Sequence, residues 1–115
     1  MKEYKPIDPN ISFADAALIS FDFKDDNQIL NVFLKAWNEK IIKLSFESVL
    51  YFQYNSGDFI LDIYEYTGVS SIVKNALIKE FNNKIPPNHN YKLILINDIY
   101  DFSIIKIVCA GLIFE

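Results

Sequence analysis

The chain contains no arginine, one histidine (His89) and one cysteine (Cys109). These side chains usually supply phosphate recognition, proton transfer, metal ligation and thiol chemistry, so the catalytic inventory is thin. A single cysteine excludes an internal disulfide and suits a reducing compartment. Only three glycines are present (Gly57, Gly68 and Gly111), each isolated, so there is no glycine-rich phosphate loop. The longest apolar run, Ile107 to Phe114, is too short to span a bilayer as a helix. The start, Met1-Lys2-Glu3-Tyr4-Lys5-Pro6, has no apolar run of the signal-peptide kind. The sequon Asn10-Ile11-Ser12 matters only in a secreted protein. The expectation is a cytoplasmic protein of one domain, residues 1–115, that acts without a cofactor or metal.

What is present is apolar and aromatic. Half of the 115 residues are hydrophobic, with ten Phe, seven Tyr and one Trp. That is enough for a packed core, and the prominence of Ile, Phe and Tyr favours strands. Acidic residues outnumber basic ones, 15 to 11, for a net charge of −4. An acidic surface without arginine disfavours nucleic acid and anionic membrane as partners.

Residues 1–13 read as an arm, because Pro6 and Pro9 disfavour a helix and weaken a strand. Ala17 to Phe23, Ile29 to Trp37 and Ile42 to Phe46 alternate apolar and polar, which predicts an antiparallel meander with short turns. Val49 to Tyr54 is expected to continue it past a bulge near Glu47-Ser48. Asn55-Ser56-Gly57-Asp58 predicts a turn. Phe59 to Tyr66 fits either a strand or a helical stripe; its shortness and its Ile and Tyr favour a strand. Ser70 or Ser71 caps a helix reaching about Asn83, with Ile72, Val73, Ala76, Leu77 and Phe81 on its buried stripe. Ile78 falls on the wet side of that stripe without an evident reason. A loop over 85–90 precedes a strand from Tyr91 to Ile96, a turn over 97–101 and a long final strand from Phe102 to Phe114. The expected fold is α+β: one mainly antiparallel sheet of about six strands packed with one amphipathic helix. Phe33 and Trp37 lie on the opposite face of that sheet, which needs cover or a partner.

Each candidate for chemistry has a plainer reading. His89, between Asn88 and Asn90, reads as an exposed loop residue. Cys109, within Ile107-Val108-Cys109-Ala110, reads as buried and inert. Asp62 and Glu65 fall on opposite faces of a strand and could meet only on a helix. Asp22, Asp25, Asp26, Asp98 and Asp101 lie in or beside turns, where acids bond local backbone; together they could form an acidic surface for a basic protein. Trp37 is the strongest aromatic anchor candidate.

The order of elements resembles that of small bacterial proteins encoded beside polymorphic toxins and regarded as immunity proteins. Four stretches carry the similarity: Ala14-Asp15-Ala16-Ala17-Leu18-Ile19, Phe46-Glu47-Ser48-Val49, Phe59-Ile60-Leu61-Asp62-Ile63-Tyr64-Glu65 before the helix, and the pair Tyr91 to Ile96 with Ile104 to Gly111. The resemblance implies a non-enzymatic protein that binds and neutralises a cognate toxin domain, a nuclease being one class of target. It implies no catalytic residues. Asp22, Asp25, Asp26, Trp37, Asp98 and Asp101 are the expected contact residues, and the chain itself is expected as monomer or homodimer. A general binding or homodimerising structural module is the alternative, and an enzyme the third reading.

Overall fold

The computed structural model describes residues 4–6, 13, 15–24, 28–55, 60–66, 70–98, 100 and 102–114. Among these, nine strands and one helix follow in the order β1 (Tyr4–Pro6), β2 (Ala17–Lys24), β3 (Ile29–Lys35), β4 (Ile41–Glu47), β5 (Tyr51–Tyr54), β6 (Ile60–Tyr66), α1 (Ser71–Glu80), β7 (Lys92–Asp98), β8 (Ser103–Cys109) and β9 (Gly111–Phe114). The class is α+β and every strand pairing is antiparallel, as the alternation implies. The strands divide between two sheets, ordered β1-β6-β7-β8-β5 and β2-β3-β4-β9.

The division into two sheets is the main departure from the sequence reading. β4 does pair with β3, but β5 leaves the meander to pair with β8. The expected long final strand breaks at Ala110; its first part stays in the five-stranded sheet and its second part pairs with β4. Both changes occur at one corner. The Ala110 N–H donates to the Glu47 carbonyl, Ser48 takes a left-handed φ of 54°, and a Cβ on Gly111 would stand 3.0 Å from Glu47 Oε1. Strands that turn a corner between sheets need such bends, and the Cβ at Gly111 would meet only side-chain atoms of the exposed Glu47.

The two sheets face each other across the core. Leu30, Val32, Leu34, Leu44 and Phe46 of one sheet pack against Ile63, Ile94, Ile96, Ile105, Ile107 and Cys109 of the other. At one edge of this interior layer Phe21 of β2 meets Phe52 and Tyr54 of β5, with ring centroids 5.1 and 5.3 Å apart. β2 begins beside β6, through the Ala16–Ile60 bridge, and reaches β5 by Phe21. It therefore runs across the strands of the other sheet.

The helix covers the outer face of the five-stranded sheet. Leu93, Leu95 and Val108 point outward there and meet Ile72, Val73 and Ala76. Its start is sharp because Ser70 Oγ accepts the N–H groups of Ile72 and Val73 at 3.2 and 3.3 Å. It ends at Glu80, a few residues before the expected boundary, where Asn82 and Asn83 take left-handed φ and the Asn83 N–H donates to the Ile78 carbonyl. Ile78 is half-buried.

Smaller corrections follow the same pairing logic. The arm contains β1, which pairs with β6, and Phe13 is buried in the core. Ala36 and Trp37 belong to the β3–β4 turn, not to β3. Asn97 and Asp98 complete β7, so the expected turn begins one residue after Asp98. Tyr91 lies just outside β7. The turn expected over 55–58 lies, apart from Asn55, outside the described residues.

Candidate functional site

Two turns present the largest exposed aromatic side chains. The first joins β3 to β4. Ala36 N–H donates to the Lys40 carbonyl (2.8 Å), Glu39 N–H to the Ala36 carbonyl (2.9 Å) and Lys40 N–H to Asn38 Oδ1 (3.2 Å). Glu39, at φ 68°, occupies the left-handed position that short hairpins usually give to glycine. These bonds fix the backbone under Trp37, which is 74% exposed. Trp37 is therefore an indole held out on an ordered turn.

The second turn joins β7 to β8 and is organised by Asp98. Its Oδ1 accepts the N–H groups of Tyr100 (2.9 Å) and Phe102 (3.0 Å). Asp98 N–H in turn donates to the Phe102 carbonyl. Asp98 is only 4% exposed, so it does not belong to an exposed acidic surface; the turn-forming reading of this acid holds. Its effect is to hold out Tyr100 and Phe102, 66% and 70% exposed. Beside it, Ser103 Oγ donates to Asn97 Oδ1 at 2.8 Å, which satisfies a second buried polar residue. Asp98→Ala should leave two turn N–H groups without their acceptor and cost about 1–3 kcal/mol. Asp98→Asn keeps an acceptor and should cost less than half as much. Urea denaturation of both variants checks this; equal losses would contradict the anchoring role.

The pairings link the bases of these two turns. Lys35, at the base of the first, pairs with Ala17; Ala16 bridges to Ile60; and Ile60 pairs with Asp98, at the base of the second. At one strand spacing or one residue step each, the bases lie within roughly 20 Å of each other. That fits the footprint of one protein interface, about 800 Å² on each partner. Exposed Asp15 lies between them, its N–H bonded to the Ile60 carbonyl, and on the first turn exposed Glu39 is ion-paired with Lys35 at 3.6 Å. The candidate site is therefore Trp37, Tyr100 and Phe102 with Asp15.

The remaining expected contacts fall elsewhere. Asp22 is exposed on β2, opposite Asn31 and six residues past Ala16. Asp25, Asp26 and Asp101 lie outside the described residues. Phe33 is half-buried on the outer face of the four-stranded sheet.

The candidates for chemistry are dispersed. β6 is a strand, so Asp62 and Glu65 serve different neighbours. Glu65 forms a 3.5 Å ion pair with Lys92. Asp62 pairs in register with Asn97. Burial raises the Asp62 pKa above its ordinary value, opposed by the Ile63 N–H donated to Oδ1. Because the folded value is the higher one, this group's contribution to stability falls as pH rises above the normal carboxylate range. His89 is exposed, and its Nδ1 accepts the Tyr91 N–H at 3.3 Å. A cleft of about 480 Å³ opens beside the helix, between Tyr66, Val73, Leu77 and Tyr91, with the Glu65–Lys92 pair at its rim. Among the described residues no group of three or more His, Cys, Asp or Glu side chains is placed to share a metal ion. No helix among them is long and apolar enough to cross a membrane.

Cys109 is fully buried, and burial pushes its thiol up to about 12, with Lys92 pulling weakly the other way. At neutral pH the reactive thiolate is absent. Ellman's reagent should therefore label the folded chain far more slowly than the chain in denaturant; equal rates would contradict this burial.

No protein family, curated protein or solved structure matches the chain.

Proposed function

We propose that the chain is an immunity protein, which binds a cognate bacterial toxin domain and blocks it without catalysis. The observation that carries this reading is that Trp37, Tyr100 and Phe102 are held exposed on two hydrogen-bonded turns whose bases are linked through Ala17, Ala16 and Ile60. Exposed aromatics on a fixed backbone lose little entropy on docking, and Trp and Tyr dominate interface hot spots. The net charge of −4 and the exposed acid Asp15 complement a basic target, and a nuclease, which must attract nucleic acid, is one. The resemblance in element order to toxin-associated proteins gives the same class of partner. In this reading the chain needs no cofactor and acts in the compartment where the toxin arrives, the bacterial cytoplasm.

The test is capture of purified toxin domains encoded next to its gene, measured by calorimetry at two salt concentrations. The reading expects tight one-to-one binding per site that weakens with salt. Absence of binding to every neighbouring toxin domain would remove it.

A further inference from the structure

The cleft beside the helix lies apart from the turn that carries Tyr100 and Phe102. It opens at Lys92 and Leu93, where β7 starts, whereas Asp98 ends that strand, about 20 Å away. Its volume, about 480 Å³, falls within the roughly 300–1,000 Å³ that small organic ligands occupy. The interior is apolar and aromatic. Leu93 packs against Val73 of the helix; Tyr66 stands across the strand pair from Leu93, and Tyr91 lies two residues before it on the same face. The Tyr91 ring meets those of Phe81 and His89, each with its centroid 6.2 Å away. The rim is rich in donors and short of acceptors. Ser70 Oγ accepts two helix N–H groups, but its own proton has no acceptor among the described residues. Lys74 N–H donates to the Ser70 carbonyl at 3.1 Å, so the two side chains stand one turn apart on one helix face. Lys74 makes no ion pair with a described residue. His89 Nδ1 accepts the Tyr91 N–H, which leaves Nε2 of the neutral ring as a donor. Glu65, the one carboxylate among the described lining residues, is already paired with Lys92. An uncompensated cation therefore lines an aromatic-walled hollow in a chain of net charge −4.

We propose that this cleft binds a small aromatic carboxylate, its ring against Tyr66, Tyr91 and Leu93 and its carboxylate on the Ser70 hydroxyl and the Lys74 ammonium. The two oxygens of a carboxylate match two donors one turn apart, and the bond to the ammonium is charge-assisted. Phosphate fits less well, because the chain has no arginine and no glycine-rich loop to surround its oxygens. An organic cation would have to take Glu65 from Lys92.

This goes beyond the toxin-binding reading and does not rest on it. The experiment is an NMR titration of the intact, nitrogen-labelled chain with naphthalene-2-carboxylate, with its neutral carboxamide and with the corresponding naphthylmethylammonium ion. The carboxylate should bind saturably, with the largest shifts at the amides of Ser70, Val73, Lys74, Tyr91 and Leu93. The carboxamide should bind about tenfold more weakly, and the ammonium ion more weakly still. Lys74→Glu should weaken carboxylate binding by about tenfold and carboxamide binding by less than about twofold. Lys79→Glu makes the same charge change at an exposed position of the same helix outside the cleft, and should leave both unchanged. Absence of a saturable shift up to about 5 mM carboxylate would overturn the proposal. So would shifts centred away from the cleft, equal binding of carboxylate and carboxamide, tighter binding of the ammonium ion, or equal losses in the two lysine variants. Toxin capture on the same samples separates the two ideas: Lys74→Glu should capture toxin as wild type does, and Trp37→Ala should bind the carboxylate as wild type does.

Discussion

Replacing Phe46 by alanine should cost about 3–5 kcal/mol, the largest single-residue loss expected in this chain. Phe46 has no exposed surface, and its neighbours in register are Leu30 and Leu112. The ring fills the layer between the sheets, which is packed from both sides by rigid strands. Strands paired on both edges cannot collapse into the space, so the cavity term should be close to full. A domain of this size is usually stable by about 5–15 kcal/mol, so the variant should retain little margin at 37 °C. The drop in melting temperature should be of the order of 10–20 °C. Phe46→Leu keeps most of the volume and should lose less than half as much. Thermal unfolding followed by circular dichroism tests both; similar small losses would mean that the interior between the sheets is not the stabilising core.

Trp37→Ala should weaken toxin binding by about 2 kcal/mol or more, roughly 30-fold, while changing stability by about 0.5 kcal/mol or less. The asymmetry is the informative part. The indole is 74% exposed and packs on little, so its removal costs the free protein almost nothing. The turn under it is fixed by backbone bonds that alanine keeps. Tyr100→Ala and Phe102→Ala should follow the same pattern with smaller losses. Asp98→Ala should weaken binding as well, but by loosening the turn, so its binding loss should accompany a loss of stability. Calorimetric affinities set beside denaturation midpoints separate the two behaviours. If Trp37→Ala binds as tightly as wild type, the aromatic turns are not the contact surface.

The sequence makes local structure legible where one face of a strand is wet. β4 alternates because its outer side meets water while Leu44 and Phe46 are buried, and Ser70 announces the helix start through its hydroxyl. The split into two sheets is hidden because it lies inside a continuous apolar run. Ile104, Ile105, Ile107, Val108 and Cys109 are all buried, since β8 is covered by the helix on one side and by the second sheet on the other. A strand buried on both faces loses its alternation, and with it the sign of where it ends. Gly111 and the pair Glu47-Ser48 are the only local marks of the corner, and one glycine beside a polar pair also fits an ordinary bulge.

The candidate site was half legible for the same reason. Trp37 stands out by type, and its turn follows from Asn38-Glu39-Lys40. Tyr100 and Phe102 look like further core aromatics until Asp98 is seen to hold their backbone. Asp98 itself shows how little a turn acid reveals alone: a carboxylate aimed at solvent and one bonded to two N–H groups have the same sequence signature. Asp15 joins the site only through the Ala16–Ile60 bridge, a contact between residues 44 positions apart that no local pattern encodes.

The most direct measurement of the whole account is survival of bacteria that co-express this chain with a toxin domain encoded beside its gene. The account predicts rescue by the wild-type chain, reduced rescue by Trp37→Ala at equal expression, and no processing of the toxin on the way. Cells that die equally with and without the chain, for every neighbouring toxin, would contradict it.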